Sequence, residues 1–283
     1  MTGIVHAAVT LGGALAAWVF GRRLGSRSGC AWLWVYAAGL LLALSIGLGR
    51  RFPWLEFHPP VSWMMAGRTE YALIGPITAL LLGVTVPRLP RVRDRRAVTG
   101  LAIAVILAES ALPFALPAIA APRLARLTTT RDSHGTCRQS TDYTCGPAAA
   151  VTALTKLGFH AEEGELARAA GTDPLTGTQP DLMARALREK FGPMGLQVDY
   201  RAFVSLEEIP RNNPAILLIK LSWWIDHYVT VLEAGNGEFL VADPLEGLSL
   251  WTRADLERRW RAVGIALARS PLPPRAHESN PLP

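Results

Sequence analysis

The stretch QSTDYTCGPAAAVTALTKLG, residues 139–158, sets a cysteine between polar turn residues and a Gly-Pro step that opens an alanine-rich run. Proline suits the first turn of a helix and glycine its end, so the pattern predicts a helix over Pro147–Leu157, closed by Gly158. A structural cysteine would sit more naturally inside an apolar run, whereas Cys145 stands where a helix begins. A thiol attacks as its thiolate, and the partial positive charge at a helix N-terminus favours that form. Gly146 leaves room for a substrate backbone to come close. Gln139 can offer an amide N–H to a developing oxyanion, alongside the backbone N–H of Cys145.

A nucleophile needs a base. His134 falls in a linker, His160 in a turn between helices, and His277 in a Pro-rich tail. His227 instead opens HYVTVLEAGNGEFLVADP, two strand patterns joined by Gly-Asn-Gly, with Asp243 ending the second. Register decides whether the two can meet. A three-residue loop at 235–237 pairs Ala234 with Glu238 and sets His227 opposite Leu245. Asp243 is then on the same face, about 7–8 Å away on the diagonal. A two-residue Asn236-Gly237 turn would shift the register by one and part them, so the catalytic reading requires the longer loop or a bulge. Trp223, Trp224 and Asp226, just before the histidine, join Gly146 as candidate lining of a substrate cleft, and Asp142 reads as a turn residue. Cysteine, histidine and aspartate with a glutamine donor make a papain-like set of roles.

Around these residues, helix patterns come first and strand patterns later. Further helices are expected at 162–169 and 179–190, then strands at 197–202, 215–221, 227–233 and 238–242. TRADLERRW is expected to form a late helix capped by Thr252. The order suggests an α+β domain whose strands form an antiparallel meander.

QSTDYTCGPAA, HYVTV and VADP together resemble peptidase family C39, the papain-like cysteine peptidases found on bacteriocin-exporting transporters and as standalone relatives. The segment GTDPLTGTQPDLMARALRE is similar to the family's stretch between the cysteine helix and the sheet. The resemblance covers roughly residues 134–265 and implies roles for four of them. Cys145 would be the nucleophile, His227 the base, Asp243 the residue orienting it, and Gln139 the lining of the oxyanion hole. The sequence holds no Gly-rich phosphate loop, so a transporter peptidase cutting double-glycine leaders is not implied and the substrate stays open.

The N-terminal part departs from that pattern. Half of the 283 residues are hydrophobic and 18% charged, and the apolar share is concentrated early. Four apolar segments, at about 4–20, 30–48, 71–86 and 98–121, each approach the length a helix needs to cross a bilayer. The first lacks a cleavage-site pattern and does not read as a removable signal peptide. Pro76, Pro113 and Pro117 are expected to kink spans without ending them. Glu109 inside the fourth segment is a functional candidate or a partner for a neighbouring helix. The net charge of +6 lies mostly in arginine clusters flanking these segments, which fits membrane loops better than a nucleic-acid face. Eight arginines in the first and third loops against six on the other side favour a peptidase domain outside the cytoplasm.

Three cysteines with no CxxC pair argue against a disulfide framework or a structural zinc site. The expected organisation is a membrane region at 1–127 of about four transmembrane helices, a C39-like peptidase domain at 128–270 and a disordered Pro-rich tail at 271–283. The expected activity is that of a membrane-anchored cysteine peptidase needing no metal or organic cofactor. Its partners would be a peptide or protein substrate, the lipid bilayer of a bacterial inner membrane and a separately encoded transporter, with no nucleic acid. The alternatives are a thiol acyltransferase on the same site, or an inactive peptide-binding membrane adaptor.

Overall fold

A computed structural model describes residues 2–222 and 225–270. The readings of Trp223, Trp224 and the Pro-rich tail therefore lie outside the described residues. The chain opens with helices α1 (Thr2–Gly25) and α2 (Ala31–Arg51). A connection with a 3-10 turn (Pro53–Phe57) and the short α3 (Val61–Met65) leads to α4 (Thr69–Thr85) and α5 (Val92–Leu124). The four long helices are long and apolar enough to cross a membrane. Pro76, Pro113 and Pro117 lie inside α4 and α5, which continue through them. Glycines let α1 and α4 approach backbone to backbone. A Cβ on Gly21 would lie 2.7 Å from the Leu80 carbonyl oxygen, and one on Gly83 would lie 2.8 Å from that of Trp18. Ala14, Ala79, Ala102 and Ile106 fill the small core that results. Glu109 lies on α5 within reach of Thr78 of the neighbouring α4.

The second half starts with two short strands, β1 (Thr130–Arg131) and β2 (Cys137–Arg138). Helices α6 (Cys145–Lys156), α7 (Glu163–Ala169) and α8 (Pro180–Phe191) follow. Next come strands β3 (Leu196–Ala202), β4 (Ala215–Lys220), β5 (Asp226–Ala234), β6 (Glu238–Asp243) and β7 (Gly247–Thr252). Helix α9 (Arg253–Arg259) and strand β8 (Trp260–Arg269) complete it. The result is an α+β domain behind an all-helical region. The expected cap is present: the Thr252 hydroxyl accepts from the Asp255 N–H, and Asp255 reciprocates in a capping box.

The strands are antiparallel but not the simple meander their order suggested. The sheet runs β3-β8-β4-β5-β6-β7, with the last strand inserted between the first two. Long-range pairing decides this, and a local pattern does not encode it. Gly264 permits the insertion, because a Cβ there would lie 2.6 Å from the Ile216 carbonyl oxygen of β4. Every residue of β4 up to Ile219 is buried. Ile216 and Leu218 pack under α6 and α8, while Leu217 and Ile219 pack with Val229, Trp251 and Leu256 on the opposite face.

Candidate active site

Helix α6 begins at Cys145, two residues before the expected start, so the cysteine is part of the first turn. The first recorded bond of this turn runs from the Ala148 N–H to the Thr144 carbonyl, 3.0 Å. The amides of Cys145 and Gly146 come ahead of that bond and have no carbonyl a turn earlier in the helix to bond. From Gly146 to Leu154 the helix is buried, and Thr230 of β5 donates to its Ala149 carbonyl at 2.7 Å. The nucleophile candidate thus stands at the half-exposed end of a helix held firmly in the core.

The hairpin of β5 and β6 delivers the other two groups, by a route that the sequence allowed as one of its options. Near the turn, Ala234 pairs with Phe239 and Glu233 with Leu240, so the loop is longer by one residue than the expected three. An irregularity between Val231 and Glu233 takes up the extra residue, after which Val231 pairs with Val241 and Thr230 with Ala242. That restores the register in which His227 and Asp243 share a face. Their side chains meet at 2.8 Å between Nε2 and Oδ1, with the two residues only 2% and 3% exposed. Asp243 Oδ1 also accepts the Leu245 N–H at 2.7 Å.

With Nε2 committed to Asp243, Nδ1 is the ring nitrogen left to face Cys145, whose thiol is among the groups that favour the charged imidazole. Burial works against a charged imidazole here. Hydrogen bonding to Asp243 and to Cys145 outweighs it, and His227 is raised to about 9. Burial would likewise raise Asp243, but the bond to His227 and the Leu245 N–H hold its carboxyl below the ordinary range. Cys137 is a contrast: burial, with Glu163 adding to it, pushes its thiol up to about 12. Cys30, Cys137 and Cys145 are all free thiols.

Gln139 lies beside this cluster through its backbone, whose N–H donates to the Pro244 carbonyl at 3.2 Å. Its side-chain Nε2 donates to the Thr141 carbonyl at 2.8 Å, which leaves the second amide hydrogen unused by that bond. Its Oε1 is buried and finds no partner among the described residues. Gly146 is backed by Thr178 and Tyr228, each within 3.3 Å of where its Cβ would be, so a larger residue would force the helix start outward. Asp226 is held by Arg261, whose Nε donates to it at 2.7 Å.

Sequence reasoning passed over several residues that hold the cluster. The Tyr228 hydroxyl donates to the Thr178 carbonyl at 2.8 Å and fixes the loop behind Gly146. The fully buried Glu163 carboxylate accepts from Ser140 N–H at 2.8 Å and Ser140 Oγ at 2.6 Å, pinning the turn next to Gln139. Strand alternation sends Tyr228 to the face of β5 opposite His227, so the local pattern does not point to it. Nothing local joins Glu163 to Ser140.

A model of the peptidase C39 family matches residues 134–272. An uncharacterized protein of Methanothermobacter marburgensis is 34% identical over 110 residues, covering 39% of this chain and 71% of its own. A second, from Methanothermobacter thermautotrophicus, is 31% identical over 109 residues, covering 38% and 70%. Among solved structures, the peptidase domain of Streptococcus ComA, a bi-functional ABC transporter of a quorum-sensing pathway, is 17% identical, with 47% of this chain and 96% of its own covered and a TM-score of 0.41. A double glycine motif protease from an AMS/PCAT transporter, in complex with its leader peptide, is 14% identical, with 51% and 96% covered and a TM-score of 0.42.

Proposed function

The chain belongs to the peptidase C39 family through residues 134–272, and from that premise we propose that it is a membrane-anchored cysteine peptidase. The observation that carries the proposal is the buried His227–Asp243 pair at 2.8 Å, with the Cys145 thiol, in the first turn of a helix, among the groups that favour its charged imidazole. Cys145 attacks a peptide carbonyl while His227 accepts the thiol proton, and the same imidazole later returns it to the leaving amine. Asp243 orients the ring and stabilises its charged form. The backbone N–H of Cys145 and the remaining amide hydrogen of Gln139 receive the oxyanion. Water then attacks the thioester on Cys145 with His227 as base, releasing the acid product and the free thiol. The long helices α1, α2, α4 and α5 anchor the domain, and the arginine distribution favours its placement outside the cytoplasm.

The test is alkylation of Cys145 by iodoacetamide in the full-length protein and in His227→Ala. Rapid labelling at pH 6 that collapses in the variant supports the proposal. Labelling that is slow, climbs only near the ordinary thiol value of about 8.5 and ignores His227 leaves a peptide-binding module in its place.

A further inference from the structure

Two short chains of contacts run from the Cys145–His227 pair to the ends of long helices. Thr178 backs Gly146, and the next residue, Gln179, donates to Glu70 Oε1 at 3.0 Å in the first turn of α4. Asp226 precedes His227, is bonded to Arg261, and Arg261 reaches the carbonyl of Arg51, the last residue of α2, at 3.4 Å. The connection between α2 and α4 packs against β3 and β8. Its Phe57 ring packs on Tyr200 of β3 at 5.0 Å between centroids, and its Gly67 N–H donates to Asp181 at 2.6 Å. Glu56 is enclosed in the seam. Burial first, then Asp181 and Glu70, raise its carboxyl to about 8. Gly146, next to the nucleophile, is therefore joined to the first turn of α4 through Thr178 and Gln179.

The surface at this end has the composition of a membrane boundary. Phe52, Trp54 and Trp63 of the connection are exposed aromatic residues at helix-end height. Leu221 and Ile225, at the tip between β4 and β5 and next to Asp226, are exposed as well. Arg50 and Glu70 pair at 2.8 Å between the two helix ends, where a bilayer becomes polar.

We infer that the active site opens at the lipid headgroup layer, and that its substrates are peptides anchored in the same membrane and cut beside their apolar segment. The inference rests on the peptidase reading above, and adds to it the substrate's physical class. The polar layer on each side of the hydrocarbon core is roughly 5–8 Å thick, and Glu70 in the first turn of α4 is bonded to the residue that follows the one backing Gly146. A peptide held by an apolar segment in that layer is presented to Cys145 at high local concentration, while a freely dissolved peptide must find a site flanked by helix ends and lipid.

The experiment places the full-length protein with Cys30→Ser in phosphatidylcholine vesicles. The vesicles carry phosphatidylethanolamine whose headgroup bears a maleimide, attached directly or through polyethylene glycol tethers of increasing length. Attachment to Cys145 is read by mass spectrometry of peptides. The expected result is fast attachment from the directly linked lipid, falling about eightfold when a flexible tether is lengthened fourfold, as effective concentration drops. No attachment without a tether, and a rate that rises with tether length, would overturn the inference. Soluble iodoacetamide run in parallel separates the two ideas. Labelling that ignores His227 defeats the peptidase reading, whereas His227-dependent labelling with a rate rising along the tether series defeats only the membrane-surface inference.

Discussion

The two halves of this molecule handle apolar side chains in opposite ways. In the peptidase half Leu154, Leu187 and Leu217 are fully buried, and large side chains fill both faces of the sheet. In the helical half the core is built from Ala14, Ala79 and Ala102, while Leu41 turns 64% of its surface outward. Large residues inside and polar residues outside describe a fold that water drives together. Small residues inside and large apolar residues outside describe helices that pack closely because their surroundings are as apolar as they are. The difference fits helices long and apolar enough to cross a membrane beside a domain that buries its large side chains. Ion pairs such as Arg50–Glu70 and Arg68–Asp173 gather where the two halves meet.

The sharpest way to break this arrangement is at the junction. Arg68 donates to the carbonyls of Pro113 and Gly171 and meets the fully buried Asp173 at 3.2 Å. Arg68→Ala would take the guanidinium from that buried carboxylate, leaving it the hydrogen bonds from Leu175 and Thr176, and is expected to cost about 3–5 kcal/mol in denaturant unfolding of the purified protein. A smaller cost would mean that the halves are docked less tightly than the contacts indicate.

Next comes a pair of substitutions at equally outward-facing residues. Leu41→Arg at the centre of α2 should cost roughly 3–4 kcal/mol of membrane insertion, read by glycosylation mapping of span integration. Val204→Arg, at a residue 93% exposed in the peptidase half, should change stability by no more than about 0.5 kcal/mol, read by thermal melting. Similar outcomes for the two would erase the distinction between the halves.

The subtlest effect is the pH dependence that His227 adds in the peptidase half. His227 is held at about 9 when folded, against an ordinary value of 6.5. The folded state therefore keeps a proton that the unfolded chain gives up between those values. This contribution is complete below pH 6.5 and is lost as pH rises through 9. Melting temperature should fall over that window in the wild type, and the fall should flatten in Asp243→Asn. Identical slopes would show that the His227–Asp243 bond does not hold the proton.

Sequence reading succeeded where the governing interaction is local or periodic. Long apolar runs, the Gly-Pro helix start behind Cys145 and the Thr252 cap each depend on neighbours in the chain. The hairpin was legible up to a choice, because alternation ties His227 and Asp243 together but leaves the loop length open. A bulge between Val231 and Glu233 made that choice, and a bulge has no clear residue signature here. The insertion of β8 depends on pairing Ile265 with both Ile216 and Tyr200, a contact between distant segments. The same holds for Glu163 with Ser140 and for the whole connection between α2 and α4. Its FHPPVSW motif reads as an interfacial loop, yet nothing in it names the sheet edge against which Phe57 packs.

The most direct test of the central claim, a peptidase built on Cys145 and His227, is trapping the acylating thiol in vesicles with a peptidyl acyloxymethyl ketone. The intact mass of the full-length protein is then read for adducts. The expected result is a single adduct on Cys145 in the wild type and in Cys30→Ser, with none in His227→Ala. An adduct that forms equally well without His227, or that falls on Cys30 or Cys137 in its place, would contradict the claim.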